Sequence, residues 1–420
     1  MRPEDLIHFC PPGRLIIGCG TRSTLPPLVQ RLGHRCGVFV TDAFFTRHTP
    51  WVQQYLDAAA ALGIRTVVFD GGLPDPTTTL CDAATAALRE QLAGTAPDHV
   101  IALGGGSNID LAKALCLTLT EGRPVREFVG DIGGCRPLSL IALPTTSGTG
   151  SEATPGAILL DPGNATKVAV MDNALRPQVA LIDPELSFTC PPRVTADAGI
   201  DAFTHAIESL LTIDSAAYDR TGHVDPGYSG RSSLTMMFAR EAIRLCIAYL
   251  ERAYRDGCDT TARIGMAYAS VYAALSYGSA GLNAVHGIAY AVAGRTHCSH
   301  GSSNAVMLPY VLDALRDVRR VELLEVARLF GLPGDDAAAL AALPQAVRGL
   351  VGRLGIPTDL RGFGIETSEL DALVADALAV TRLAKAFPVV DVAGCYRAIV
   401  HDAFDGRLAA DDRLELVAFN

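Results

Sequence analysis

The sequence predicts a mixed fold in which an α/β half with a parallel sheet precedes an all-helical half. In the first ~185 residues, short apolar runs alternate with helical patterns, and strands separated by helices are typical of a parallel sheet covered on both faces. After Pro191 and Pro192, apolar residues recur at spacings of three and four, which is the period of a helix. We therefore expect an α/β domain at residues 1–188 and a helical domain at residues 189–420.

Five apolar runs predict the strands of the first half, and turn-forming or charged residues separate them. These runs are residues 36–41, 66–69, 99–103, 138–143 and 179–182. A helix is predicted at residues 80–94. In the second half, the three-and-four spacing predicts helices at residues 195–211, 234–253, 262–277 and 306–330.

The composition excludes several classes of protein. Hydrophobic residues make up 49% of the 420 residues and the formal net charge is −10, which indicates a globular chain without the basic surface that nucleic acids or anionic membranes require. No apolar run is long enough to span a bilayer, and the first residues lack the apolar core of a signal peptide. The eleven cysteines are scattered without a Cys-x-x-Cys pair, which is typical of a reducing compartment. We therefore expect a cytoplasmic protein that binds neither nucleic acid nor membrane.

A glycine-rich segment at residues 104–113 follows the third predicted strand and opens a helix. Glycines allow a close approach of the backbone to a ligand, and the exposed amides of a helix start attract phosphate oxygens. The alternative is an ordinary tight turn between strand and helix. Because ligands of open α/β sheets bind at the carboxyl ends of strands, we favour a phosphate-binding loop. Its candidate cofactor-binding residues are Gly104, Gly105, Gly106, Ser107 and Asp110.

Two further features follow neighbouring predicted strands. Residues 144–152 carry five hydroxyl groups and two glycines, which supply donors for ribose or phosphate. Asp42 follows the first strand, where a carboxylate binds ribose hydroxyls and repels a 2′-phosphate. This position favours NAD over NADP. The alternatives are a plain polar loop and a solvated carboxylate.

Histidines and one aspartate in the second half form a candidate metal site. Asp201 and His205 are four residues apart in a predicted helix, so both project from the same face. His286 and His300 lie in mostly apolar or small surroundings further along the chain. One carboxylate and three imidazoles suit Fe²⁺ or Zn²⁺ and leave coordination positions open. A buried Asp–His hydrogen bond is the alternative for the first pair.

Taken together, these segments resemble the iron-dependent (group III) alcohol dehydrogenase family over nearly the whole chain. The matching motifs are residues 104–113, residues 144–152, the Asp201-x-x-x-His205-Ala-x-Glu208 run, and a His286 that precedes His300-Gly301 by fourteen residues. The resemblance implies a dinucleotide-binding α/β domain and a helical metal-binding catalytic domain, the architecture shared with dehydroquinate synthase. It implies Asp201, His205, His286 and His300 as metal ligands. It also implies cofactor contacts from Asp42, Gly105, Gly106, Ser107, Thr145, Thr146, Thr149 and Lys167.

The sequence departs from the common family pattern at three places. Tyr290 stands where many members have a second histidine, Ser299 where a proline is usual, and Asp75 where an asparagine is usual. The tyrosine leaves the metal ligands intact but affects the route by which a proton leaves, and Asp75 is expected to replace an amide contact to the cofactor. We take Tyr290 and His297 as the candidate proton-relay residues.

The expected function is metal-dependent hydride transfer between NAD(H) and a small primary alcohol or aldehyde, with Fe²⁺ as the expected metal and Zn²⁺ compatible. Arg295 precedes His300 by five residues and would suit an anionic, phosphonate- or carboxylate-bearing aldehyde if it faced the pocket; it is equally compatible with a surface position. Two other classes stay open, a hydroxyacid–oxoacid transhydrogenase and a sugar-phosphate cyclase or lyase of the dehydroquinate synthase type. As partners we expect only the small substrate and a second copy of the chain in a homodimer.

Overall fold

The computed structural model describes residues 7–163, 166–221 and 224–409. It divides into two compact units: one contains the chain from Cys10 to Cys190, and the other contains most of the chain from Pro191 onward. Within the described residues, no helix combines the length and apolarity needed to cross a membrane.

The first unit contains a six-stranded parallel sheet and a separate antiparallel hairpin. The strands are β1 Leu15–Ile17, β2 Cys36–Val40, β3 Arg65–Phe69, β4 His99–Gly104, β5 Ser139–Pro144, β6 Gly156–Asp161, β7 Thr166–Met171 and β8 Val179–Ile182. The order in the sheet is β1-β8-β5-β4-β2-β3, and the hairpin joins β6 to β7. The register pairs Val38 with Val100 and Gly104 with Pro144.

Helices cover both faces of this sheet. Successive strand residues point to opposite faces, so Val100 and Ala102 of β4 pack into one core cluster while Ile101 and Leu103 pack into another. This is why the strands read as continuous apolar runs in the sequence. The helices of this unit are α1 Leu25–Arg31, α2 Ala43–His48, α3 Trp51–Ala61, α4 Thr78–Leu92 and α5 Gly106–Glu121.

The second unit is helical throughout its described residues. Its central helix is α6, whose residues 199–211 are all buried and which packs against α7, α8 and α10. The helices are α6 Pro192–Leu211, α7 Ser233–Arg255, α8 Thr260–Ala280, α9 Ala284–Thr296, α10 His300–Ala314, α11 Arg320–Leu329, α12 Asp336–Arg353, α13 Leu370–Ala379, α14 Thr381–Ala384 and α15 Val392–Asp405.

The predicted fold class, an α/β half followed by a helical half, is confirmed. Two details differ from the sequence prediction. The pattern missed β1 and the β6–β7 hairpin, because β1 has only three residues, none of them fully buried, and β6 alternates buried with half-buried positions. The predicted helix at residues 306–330 is two helices, since α10 ends at Ala314 and α11 begins at Arg320.

Candidate metal centre and glycine loop

Asp201 and His205 stand one turn apart on α6. A helix places positions i and i+4 on the same face, so the carboxylate and the imidazole project in the same direction. Both side chains are buried in the core of the helical unit. Their polar atoms therefore need partners inside the protein.

The other two candidate ligands come from the starts of two later helices. His286 lies in the first turn of α9, and His300 is the first residue of α10. Oδ1 of Asp201 lies 3.6 Å from Nε2 of both His205 and His286. Its distance to Nε2 of His300 is 3.7 Å. One ligand atom from each of these residues lies within 4.8 Å of the others, so the four side chains form one cluster.

The charges around this cluster favour a cation. Burial acts to raise the pKa of Asp201, but the three neighbouring imidazoles, His205 foremost, hold it far below its ordinary value. Burial acts to lower the pKa of His286, but the carboxylates of Glu208 and Asp201 raise it to about 10. Two buried carboxylates thus stabilise positive charge among the imidazoles, whether a proton or a metal carries it.

Glu208, which the sequence analysis left without a role, holds His286 from the opposite side. Nδ1 of His286 donates to Oε2 of Glu208. Oε1 accepts the backbone N–H of Val285 over 2.8 Å and of Asn283 over 3.1 Å. When the ring of His286 is neutral, donation from Nδ1 leaves the lone pair on Nε2, the atom that faces Asp201. Glu208 therefore sets both the tautomer of His286 and the start of α9.

Asn304 connects the members of the cluster. It lies one turn after His300 on α10 and is fully buried. Its Nδ2 is 2.8 Å from Oδ1 of Asp201, 3.1 Å from Nε2 of His286 and 3.3 Å from Nε2 of His300. The sequence analysis did not identify Asn304; its spacing of four residues from His300, which places both on one helix face, is the signal that could have indicated it.

The donor set fits a borderline divalent cation. Three imidazole nitrogens and a carboxylate oxygen are ligands that both Fe²⁺ and Zn²⁺ accept. The side chain of His300 is 30% exposed, whereas that of His205 is 4% exposed and that of His286 is 1% exposed. The cluster is therefore reached from solvent on the side of His300.

The two candidate proton-relay residues lie in different surroundings. The ring of Tyr290 stacks on His300 at 5.6 Å between centroids and meets His286 edge-on at 6.2 Å. His297 is exposed and ends α9 with a φ of 53°. Among the described residues, no ring or ion-pair contact joins His297 to the cluster, so only Tyr290 borders it.

The glycine segment connects β4 to α5 as the sequence predicts. Gly104 ends β4 with a φ of 148°, Gly105 is the N-cap residue of α5, and Gly106 and Ser107 form its first turn. A Cβ on Gly106 would lie 2.7 Å from Oγ1 of Thr149, so this position has no room for a side chain. Because Gly105 and Gly106 have no side chains, a phosphate can closely approach the backbone N–H groups at the start of α5.

Three strand ends of the sheet carry the candidate cofactor contacts. Asp42 follows β2 and caps α2 by accepting the N–H of Phe44 over 2.9 Å. Thr145 follows β5 and donates its N–H to Gly104 O over 3.0 Å. Thr146 lies against Gly105, with Cγ2 3.4 Å from the position of a Cβ there. Because β5, β4 and β2 are neighbours and parallel, these groups share one edge of the sheet.

Asp110 and Lys167 are already engaged with other protein groups. Asp110 accepts the hydroxyl of Ser151 and, over 2.9 Å, the N–H of Ile158, and burial raises its pKa. Nζ of Lys167 lies 2.9 Å from Oδ1 of Asp75. These contacts tie the loops of this edge together.

Comparisons with known proteins agree on one family. A family model described as iron-containing alcohol dehydrogenase matches residues 12–184, and one described as the Fe-containing alcohol dehydrogenase family, C-terminal, matches residues 195–394. Long-chain-alcohol dehydrogenase 1 of Geobacillus thermodenitrificans (strain NG80-2) is 34% identical over 400 residues, which cover 93% of this chain and 95% of that protein.

Two further similar proteins have names that specify a substrate. The 4-hydroxybutyrate dehydrogenase of Cupriavidus necator is 35% identical over 374 residues, covering 86% of this chain and 90% of its own. The solved structure of sulfoacetaldehyde reductase from Bifidobacterium kashiwanohense in complex with NAD⁺ superposes with a TM-score of 0.81 at 26% identity. That match covers 95% of this chain and 98% of the reductase.

Proposed function

This chain belongs to the iron-containing alcohol dehydrogenase family, and we propose that it transfers hydride between NAD(H) and a small primary alcohol or its aldehyde. It is an alcohol dehydrogenase, and its cofactors are NAD and Fe²⁺. The observation that carries the proposal is the convergence of Asp201 with three imidazoles in one cluster, in which only His300 is partly exposed.

In this proposal Asp201, His205, His286 and His300 hold the metal in the helical domain at residues 189–420. When bound, Fe²⁺ polarises the alcohol or aldehyde oxygen and NAD carries the hydride. Asp201 offers the only charged oxygen among the four ligands, while Glu208 and Asn304 hold the ligand atoms in place from outside. Because His300 is the most exposed of the four, the substrate oxygen approaches on its side.

The α/β domain at residues 1–188 binds NAD in this proposal. The glycine loop from Gly104 to Ser107 binds the pyrophosphate, and the hydroxyls of Thr145, Thr146 and Thr149 and the ammonium of Lys167 contact the cofactor beside it. Asp110 keeps the loop in place from behind through Ser151. The carboxylate of Asp42 accepts the ribose hydroxyls, which favours NAD over NADP.

Tyr290 is our candidate for the group that passes the substrate proton to solvent. Its ring lies against both His286 and His300, which places this residue beside two of the proposed metal ligands. His297 is the second candidate, and its exposure would make it an outer member of such a relay. A Tyr290→Phe variant that keeps its full turnover rate would remove Tyr290 from this role.

We further propose that the enzyme works as a homodimer in the cytoplasm. Cys36, Cys81, Cys116 and Cys246 are buried free thiols, as in proteins of reducing compartments. Light scattering of the purified protein measures the subunit number directly, and a monomeric mass would contradict the dimer.

The test of the function is aldehyde reduction by anaerobically purified protein loaded with Fe²⁺. We expect NADH oxidation that depends on an added small aldehyde and that disappears after chelation of the metal. Reloading with Zn²⁺ separates iron from zinc chemistry. Turnover between a hydroxy acid and an oxo acid without added NAD would instead indicate a transhydrogenase. Unchanged NADH oxidation by the chelated protein would overturn the proposal.

A further inference from the structure

Two arginines near the metal cluster differ in whether their charge is already compensated. Nη2 of Arg295 lies 2.6 Å from Oδ2 of Asp376, and its Nη1 donates to the carbonyl of Ala291 over 3.3 Å. A carboxylate bound to a guanidinium offsets its charge and occupies donors that a substrate anion would otherwise use. Arg295, the arginine that sequence proximity suggested for anion binding, is therefore a poor candidate.

Arg382 differs from Arg295 in this respect. It lies on the short helix α14, which packs against α9. Its guanidinium carbon lies 5.9 Å from the ring centroid of Tyr290. Among the described residues, no carboxylate pairs with its guanidinium, and its buried Nε lacks a hydrogen-bond acceptor. A buried donor without an acceptor is uncommon and calls for a ligand.

Tyr290 connects this cation to the metal cluster. Its ring lies 5.9 Å from the guanidinium carbon of Arg382 and stacks on His300 at 5.6 Å with an interplanar angle of 24°. Arg382 and a residue of the metal cluster therefore contact the same tyrosine ring, which places a cation beside the cluster. Tyr218 borders the same region: burial raises the pKa of its phenol, while the charges of Arg220 and Arg382 lower it.

We propose that Arg382 binds the anionic end of the substrate, so that the preferred substrates are short aldehydes or alcohols carrying a carboxylate, sulfonate or phosphonate at the opposite end. This assignment rests on the proposed function. NADH gives hydride to the aldehyde carbon and a proton goes to its oxygen, while the anionic group stays unchanged. A guanidinium binds such oxyanions through two parallel hydrogen bonds, which fixes the orientation of the chain between them.

The test compares succinic semialdehyde with butanal, which has the same chain length without the charge. We expect the wild-type enzyme to prefer succinic semialdehyde. Arg382→Met should lower kcat/KM for succinic semialdehyde by roughly 10- to 100-fold, the range expected for loss of a charge-assisted hydrogen bond. The same variant should change kcat/KM for butanal by less than about threefold.

Arg382→Lys should restore part of the loss of kcat/KM, and Arg295→Met is the matched control that should leave the preference for succinic semialdehyde intact. Sulfoacetaldehyde and phosphonoacetaldehyde then identify which oxyanion is bound best.

Binding of succinate, which has the anion but no aldehyde, gives a second measurement by calorimetry. Succinate should bind Arg382→Met roughly 10- to 100-fold more weakly than the wild-type protein. Two results would show that Arg382 does not bind the anionic end of the substrate: a kcat/KM for succinic semialdehyde no higher than that for butanal, or an equal effect of Arg382→Met on both aldehydes. In either case only this inference fails. If the iron-loaded enzyme reduces neither aldehyde, the proposed function itself fails.

Discussion

Nδ2 of Asn108 donates a hydrogen bond to Oδ2 of Asp42 over 2.8 Å, across 66 residues of sequence. The amide of Asn108 is packed between Gly72 and Gly104, where an added Cβ would lie 2.1 Å from its Oδ1 and Nδ2 respectively. The other oxygen of Asp42 accepts the N–H of Phe44. Both carboxylate oxygens are thus oriented before any ligand arrives, at the point where β2 and β4 lie side by side.

We expect Asn108→Ala to weaken NADH binding by roughly 10-fold, since a hydrogen bond to a charged group contributes about 1.5–3 kcal/mol. Asp42→Ala should weaken NADH binding more than Asn108→Ala does. It should also reduce the ratio of kcat/KM for NADH to that for NADPH, because the negative charge that repels a 2′-phosphate is gone. The measurement is kcat/KM for both cofactors at a fixed aldehyde concentration. The control is Asn173→Ala, which removes a hydrogen bond to Asp225 in another part of the chain. Equal losses in Asn108→Ala and Asn173→Ala would contradict the role of Asn108.

Alanine substitutions at Gly105 and Gly106 separate the effect of the glycine loop on stability from its effect on NADH binding. A Cβ on Gly106 would lie 2.7–2.9 Å from the side chain of Thr149, whereas one on Gly105 would lie 3.4–3.5 Å from that of Thr146, an ordinary contact. Gly106→Ala should therefore lower the free energy of unfolding by about 1–3 kcal/mol. Gly105→Ala should fold with nearly unchanged stability and lose NADH affinity, because its methyl group obstructs the approach of the phosphates. Denaturant unfolding and NADH titration measure the two effects. An alanine at Gly105 that leaves NADH affinity intact would place the pyrophosphate elsewhere.

Removal of single metal ligands should abolish metal binding and turnover together. His286→Ala and His300→Ala each delete an imidazole from the cluster, and His401→Ala, an exposed histidine of α15, is the control. Elemental analysis of protein purified without oxygen should find metal in the wild type and in the control but not in the two ligand variants. A fully metallated His300→Ala would show that the three buried ligands suffice.

Glu208→Gln tests whether the orientation of His286 depends on a carboxylate. A glutamine keeps an acceptor for the backbone N–H groups of α9 but can present its own N–H to Nδ1, which places the proton on Nε2. We expect the affinity for the metal to fall by about 10- to 100-fold.

Glu322→Gln is the control for this experiment, since Glu322 is paired with Arg231 in the same helical unit. Metal affinity follows from competition with a chelator, and the stability of the metal-free protein is measured in parallel. If Glu208→Gln only destabilises the metal-free protein while metal affinity stays the same, Glu208 acts as a helix cap alone.

Stability should depend on pH through Glu152. Burial raises the pKa of this carboxyl from 4.5 to about 7, although Lys113 acts to lower it. Between these values the folded protein holds a proton that the unfolded chain has released, so the unfolding free energy falls as pH rises. The contribution is complete below pH 4.5 and is lost as pH passes the folded-state pKa.

Glu152→Gln removes this titration and keeps the size of the side chain. Unfolding by denaturant at about pH 5 and about pH 8 should give a smaller decrease in the variant than in the wild type. Comparing the two proteins cancels the contribution of the metal-site histidines, which both contain. Parallel pH profiles would show that Glu152 is ionised in the folded protein throughout this range.

Features that depend on neighbouring residues could be predicted from the order of amino acids. A parallel strand that is buried on both faces is a continuous apolar run, so five of the six strands of the sheet could be located from such runs in the sequence. Helical spacing likewise put Asp201 and His205 on the same face of one helix. The residues of the glycine loop were found for the same reason, because the constraint on each lies within a few positions along the chain. That these residues bind metal and NAD stays a prediction.

Contacts between groups that are far apart in the sequence became known only from the folded chain. Glu208 and His286 are 78 residues apart, and nothing near either residue indicates the other. The same holds for the arginines: proximity to His300 in sequence favoured Arg295, but Asp376 on α13 neutralises that charge, while Arg382 lies beside Tyr290 without a partner among the described residues. The spacing of apolar residues along the sequence predicts whether a side chain faces the core or the solvent. Whether its charge is compensated depends on the packing of separate helices, which local sequence patterns do not record.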